Sequence, residues 1–229
     1  MLSDLDAALK NYLQNETIPG QSVQVALDPP TKDWAARRTG AVLNLFLADI
    51  REDVDRRDVN LREITNDQGV IVARQQANRF YLVTYLLTAW TSTPEDDHRL
   101  LGLALVAMLR QDYLPFEYVT GDLSVLVGAG FPLTTRVGLR AMNERTYSEM
   151  MTAVGAEYRP PLSIIISMPV QTGTPEAAGP PQTVPPVVSI GDTRSGASTT
   201  AQGPDPEDPG AGYRTRTRPT SDVSAPVKP

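Results

Sequence analysis

Few of the side chains that do chemistry occur in useful combination in this sequence. Its one histidine, His98, follows Glu95, Asp96 and Asp97 in the run "EDDH". A metal centre here would need two ligands on one helical face, three or four residues apart. Asp97 and His98 are chain neighbours instead, and the helix dipole alone accounts for acids in a first turn. Nucleophilic catalysis would need Ser or Thr activated by His, or Ser by Lys, yet neither a G-x-S-x-G elbow nor an S-x-x-K run occurs. Lys10, Lys32 and Lys228, the only lysines, lie too far apart in the chain to favour Schiff-base chemistry. The 27 acidic residues leave a glycosidase-type carboxylate pair open, since any two can meet in space. "VGAGFP", Val127–Pro132, lacks the third glycine of a dinucleotide loop and reads as a strand-ending turn. "RTRTRP", Arg214–Pro219, has the charge to clamp phosphates or acidic surface, but three arginines in a proline-rich tail read first as solvated. The expectation is a protein that is not an enzyme, with no catalytic, cofactor-binding or metal-binding residue.

The elements around these residues are better defined. Leu2, Leu5, Leu9, Tyr12 and Leu13 recur at helical spacing, with Ser3 placed to cap and Asp6 three residues on. "SVQVALD" and "AVLNLFLADI" alternate apolar residues as strands do, and 51–69 reads as a charged, solvent-facing excursion with a small hairpin around Asn66–Gly69. Phe80–Trp90 is rich in aromatic and β-branched residues and predicts a strand of about 36 Å, well above the usual length. Thr93 then caps, Pro94 suits the first helical position, and the helix that follows is apolar around its whole circumference from Leu100 to Leu109. Such a helix must be covered on more than one side, by its own domain or by a neighbouring subunit. "DLSVLVG" reads as a strand, "AGFPL" as a turn, "RAMNERTYSEMMTAVG" as helical or mixed, and "PLSIIISMPV" as a last strand. The fold expected is α+β, a mainly antiparallel sheet packed with two to three helices.

Composition sets the limits. The chain has 229 residues, 41% of them apolar, enough for one core and an appendage. A net charge of -6 works against nucleic acid and anionic membrane surfaces. There is no cysteine, which fits a cytoplasmic setting, and "MLSDLDAALKNYLQ" lacks the basic start and apolar run of a signal peptide. Phe80–Pro94, the best candidate for a membrane span, falls short of the roughly 20 apolar residues required. From Pro169 onward the chain holds 12 of its 20 prolines and only one aromatic, Tyr213. Residues 1–168 are therefore expected to form the folded domain, and 169–229 a Pro- and Gly-rich low-complexity tail, disordered in isolation with polyproline stretches at "GPPQTVPP". The tail serves as a spacer or docks on a partner in polyproline form.

Most of residues 1–168 also resembles a known family. An N-terminal helix is followed by "LADIRED", "RFYLVTYLLTAW", "DDHRLLGLAL", "LP" at Leu114 and Pro115, and "YRPPLSIIISMPV". Together these are similar to the cap, or tail terminator, family of contractile injection systems, the phage-tail-like particles typified by the antifeeding prophage and the Photorhabdus virulence cassettes. The strand ending in "TAW" joined to "HRLLG" is the most specific element. The sequence departs from the pattern at Tyr81 and Leu82, where family members are more polar, and at "EMMTAVG", where they carry a tryptophan. The resemblance implies a compact subunit that forms a hexameric ring at the distal end of inner tube and sheath, stopping polymerisation and locking the extended sheath, with strand addition at an open sheet edge as one mode of contact. Its partners would be further copies of itself, the sheath protein and the inner tube protein. The interface residues expected are Arg79, Tyr81, Tyr85, Trp90, His98 and Arg99, with Tyr85 and Trp90 equally readable as core. An adaptor whose tail links the particle to a host, membrane or regulatory partner is the alternative.

Overall fold

In the computed structural model, the described residues are 1–139, 144–179, 187–191, 198–203 and 214–218. The chain runs through α1 (Leu2–Glu16), β1 (Gln24–Ala26), α2 (Lys32–Arg37), β2 (Val42–Glu52), β3 (Leu61–Thr65), β4 (Ile71–Gln76), β5 (Arg79–Trp90) and α3 (Pro94–Met108). It continues through α4 (Gly121–Gly128), β6 (Thr134–Val137), α5 (Glu144–Ala153), β7 (Leu162–Val170), β8 (Glu176–Ala177), β9 (Val187–Gly191), β10 (Ser198–Gln202) and β11 (Arg214–Arg218). Two compact units emerge, one of Met1–Arg62 with Gln75–Pro175, the other of Glu63–Arg74 with Glu176–Pro229.

The first unit is built on a five-stranded sheet in the order β1-β2-β5-β7-β6. Only β1 and β2 are parallel; the other neighbours are antiparallel. The twelve-residue β5 lies at the centre, paired along most of its length with β2 on one side and β7 on the other. Its alternation sorts the core. Val83, Tyr85, Leu87 and Ala89 join the main cluster with Leu5, Leu9 and Leu13 of α1 and Leu100 and Ala104 of α3. Leu86 faces the other way and packs with Tyr147 and Met151 of α5. Trp90 faces that way too, edge-on to Trp34 of α2 at 5.3 Å. A strand covered on both faces can be apolar at nearly every position, which is why β5 reads as an almost continuous apolar run.

The sheet's edges are short. β1 covers only Val42–Asn44 of β2, so the outer side of β2 from Leu45 onward is open among the described residues. Its pairing with β5 slips by one residue between Leu47 and Asp49, a β-bulge at Ala48. The far edge, β6, has four residues.

The α+β class and the mainly antiparallel sheet agree with expectation, but five α-helices are described where two or three were expected. The difference lies in two segments. α2 is a six-residue helix capped by Thr31, whose hydroxyl accepts the Trp34 amide at 3.1 Å. "DLSVLVG" is α4 and not a strand, because Leu123 and Leu126, three residues apart, both turn into the core. "VGAGFP" accordingly ends a helix, the Phe131 amide bonding back to Leu126 O and the Gly130 amide to Val127 O, with Gly130 at φ +91°. Ser3 is not a cap, since it lies inside α1, which starts at Leu2 with Met1 at the N-cap. The hairpin around Asn66–Gly69 is present, the Asn66 amide bonding to Val70 O at 2.9 Å, and it joins β3 to β4.

In the second unit β9, β10 and β11 form an antiparallel meander in the order β11-β10-β9. Part of the region expected to lack regular structure therefore carries strands, supported by β-branched residues such as Val187, Val188, Ile190, Thr199 and Thr200. The polyproline reading of "GPPQTVPP" falls, apart from Gly179, outside the described residues.

Candidate functional site

Among the described residues no three His, Asp or Glu side chains gather as metal ligands would. His98 is exposed at the edge of a cleft of about 250 Å³ formed with Pro94, Asp97, Glu157 and Arg159. Asp97 is spoken for structurally: one carboxylate oxygen accepts the Thr91 amide at 2.6 Å and the other is paired with Arg159. Arg159 in turn lies over the Trp90 ring at 4.4 Å. Arg38 donates to the carbonyls of Gly40, Trp90 and Thr91 at 2.8 to 3.2 Å. These contacts tie the end of β5, the start of α3 and the approach to β7 into one polar knot around a buried tryptophan.

A second network joins α1 to the sheet. Tyr85, fully buried, donates to Asp6 at 2.6 Å. Burial and this acidic acceptor both raise the Tyr85 phenol far above its usual range. Tyr118 donates to Glu16 at 2.7 Å, and Arg110 pairs with the same carboxylate at 2.9 Å. That hydrogen bond, followed by burial, pushes Tyr118 up to about 12. Neutral phenols held this firmly are fasteners of the fold, with no free proton to exchange near neutrality.

What stands out at the surface is apolar. α3 buries Leu100, Ala104, Ala107 and Met108 inward but exposes Gly102, Leu103 and Val106 on its outer side, with Leu109 just after it. Its all-round apolar character thus does not come from being enclosed by its own domain. The segment after β2 exposes Val54 and Val59, neither of which sequence patterning picked out. The signal was available only as valines in an otherwise charged stretch.

The six expected interface residues separate accordingly. Arg79 and Tyr81 are half-buried and His98 and Arg99 exposed, whereas Tyr85 and Trp90 are 0% and 1% exposed. The last two are core side chains; they shape the surface from beneath and cannot meet a partner directly. Arg79 and Tyr81 lie at the opening of β5, where Arg79 pairs with Glu52 at 3.4 Å. His98 and Arg99 lie on α3, beyond the strand's other end. No helix among the described residues is long and apolar enough to cross a membrane.

Two solved structures share this fold. One is the sheath/tube terminator of the extracellular contractile injection system PVC in its extended state, with TM-score 0.61, 18% identity, and coverage of 84% of this chain and 65% of that one. The other is the tube-terminating cap of the anti-feeding prophage, with TM-score 0.57, 19% identity, and coverage of 82% and 62%. The chain thus spans somewhat under two thirds of the length of either. No curated protein sequence matches it. The Pvc16 N-terminal domain model matches residues 4–184, which include the whole five-stranded sheet and the helices packed on it. The chain belongs to the Pvc16 N-terminal domain family.

Proposed function

We propose that this protein is a structural terminator of a contractile injection system, assembling as a hexameric ring at the end of inner tube and sheath, where it stops polymerisation and stabilises the extended sheath. The observation that carries the reading is the shared fold with a sheath/tube terminator over 84% of the chain, within a family matched over residues 4–184. The surface supports it. A protein that exposes apolar side chains on α3 and after β2 is suited to bind other subunits. Sheath protein, tube protein and further copies are the partners, with Arg79, Tyr81, His98 and Arg99 at the contacts. The assembly sits in the cytoplasm at the distal end of the particle.

The function is divided along the chain, with residues 1–168 terminating the particle and 169–229 serving as an appended tail. A second reading, an adaptor role for that tail, is favoured by one observation: the family match stops at residue 184, and the meander β9 to β11 lies beyond it with Val187, Val188 and Ile190 exposed.

Negative-stain microscopy of particles from cells with and without the gene tests the main reading. Irregularly long, missing or unstable sheaths without it are the expected result. Particles of unchanged length and extension would remove the terminator role. Deleting 169–229 tests the second: capped particles that fail to attach to a partner would assign attachment to the tail, and unchanged attachment would rule it out.

A further inference from the structure

Between the parallel strands β1 and β2 the chain leaves the core and returns to it. Pro30 and Val42 are buried, but no residue from 31 to 41 is, and none belongs to either buried cluster. α2, in the middle of this stretch, has six residues, well short of the roughly 12 to 15 at which a helix holds itself in water. Its contacts with the sheet therefore keep it in place, and they converge on Trp90. Trp34 stands edge-on to that ring at 5.3 Å, and Arg38 lies over it at 6.0 Å while donating to the Trp90 and Thr91 carbonyls at 3.2 and 2.8 Å. Beneath them Trp90 is 1% exposed, and its indole N–H donates to the buried Thr88 hydroxyl at 2.9 Å.

This closed arrangement leaves polar atoms unserved. Arg38 Nε is buried and makes no hydrogen bond within the protein. Asn44, opposite Thr88 in the sheet and so on the same face, donates to Asp28 O at 2.8 Å, yet its buried Oδ1 accepts no hydrogen bond within the protein. A buried polar atom without a partner opposes closure at least as strongly as one made hydrogen bond favours it. The ends of the stretch are built to turn. Gly40 sits at φ +74° with no atom within 4 Å of where a Cβ would lie, and at the other end the Thr31 amide folds back on Pro29 O at 2.8 Å. There is also room beside it: Arg38, Gly40 and Ala41 line a cleft of about 610 Å³ whose far wall includes Leu100 and Leu103 of α3.

We infer that residues 31–41 form a lid that opens from the sheet as a unit while the rest of the first unit stays folded. Opening uncovers Trp90 and lets water reach Arg38 Nε; closure restores the edge contact of Trp34 and the two carbonyl bonds of Arg38 to the end of β5. Trp90 is core in the closed form and surface in the open one. The lid thus converts one corner of the sheet's second face between the two, and it does not rest on the terminator reading.

Native-state hydrogen exchange on the full chain, read by NMR, tests this with three kinds of proton. They are the Ala35 and Arg38 amides, bonded to Thr31 O and Trp34 O within the lid, the indole N–H of Trp90, and the amides of β5. The lid amides and the indole proton should share one protection, at least roughly tenfold weaker than that of β5, because a single opening exposes them together. Low urea should weaken the protection of β5 and leave that of the lid and the indole nearly unchanged, since lid opening exposes little surface. Trp34→Ala should weaken lid and indole protection alike, by roughly threefold to tenfold, and Trp34→Phe, which keeps an aromatic edge, should restore most of it. An indole proton that follows β5 in protection and urea dependence, while the α2 amides exchange fast, would reduce the motion to fraying of α2 and overturn the lid. Lid amides that follow β5 would overturn it as well, as would Trp34→Ala acting on the α2 amides and not on the indole.

Discussion

The two faces of α3 are nearly indistinguishable in composition and opposite in fate. Inward, Leu100, Ala104 and Met108 share the core with α1 and the sheet, and Ala107 is buried under the Tyr12 hydroxyl; outward, Leu103, Val106 and Leu109 are exposed. A helix that only had to fold would carry polar residues on the second face, as amphipathic helices do. The difference teaches that the fold needs only half of this helix's hydrophobicity. The other half is surplus to the subunit.

That contrast can be broken from the inside. Ala104 is 0% exposed, and Ala104→Asp buries an unpaired charge on the inner face, expected to cost about 3–5 kcal/mol and to leave little folded protein in a thermal melt. A folded Ala104→Asp chain with a melt near that of the parent would mean that the inner face is looser than the geometry indicates. The next largest effect lies below α1. Tyr85→Phe removes the hydrogen bond to Asp6 and should cost about 1–3 kcal/mol, read as a shift in the denaturant midpoint.

Alkaline titration sharpens the same point. The phenols of Tyr85 and Tyr118 are raised from the ordinary value of 10.0, so the folded state holds their protons more tightly than the unfolded chain does. The stabilisation from both is whole below pH 10; that of Tyr118 is lost as the pH rises through about 12, and that of Tyr85, raised further, persists to higher pH. Melting temperature should fall across that window, and less steeply in Tyr118→Phe; equal slopes would remove Tyr118 from the account.

The smallest effects come from two glycines and should have opposite signs. Gly121 sits at φ +65°, and a Cβ there would lie 2.7 Å from the Asp4 carboxylate, so Gly121→Ala should destabilise by about 1–2 kcal/mol. Gly102 lies inside α3 with open space beside it, so Gly102→Ala should stabilise the subunit by up to about 1 kcal/mol. Calorimetry on each variant reads the sign.

Long elements with a clear period were legible from sequence. β5, α1, the last strand and the cap of α3 by Thr93 were each specified by several residues that agree. α4 was missed because "LSVLV" is apolar at nearly every position, so no period separates helix from strand, and what decides is tertiary: Leu123 and Leu126 turn inward, and Asp4 closes on Gly121. Arg79, Tyr81, His98 and Arg99 are at least partly exposed, as their polar ends suggest. That Tyr85 and Trp90 are sealed away, and that Val54, Val59 and Val106 are not, depends on which way each chain segment turns, information that residue type does not hold.

The bulge at Ala48 bears on how the folded chain avoids aggregation. Beyond the three residues that β1 covers, β2 presents an open edge, the kind of backbone that draws like chains into fibrils. A one-residue slip halfway along bends that edge, and a straight strand from another molecule cannot follow it in register. Joining of free chains edge to edge is thereby disfavoured, although the backbone groups of that edge are unpaired among the described residues.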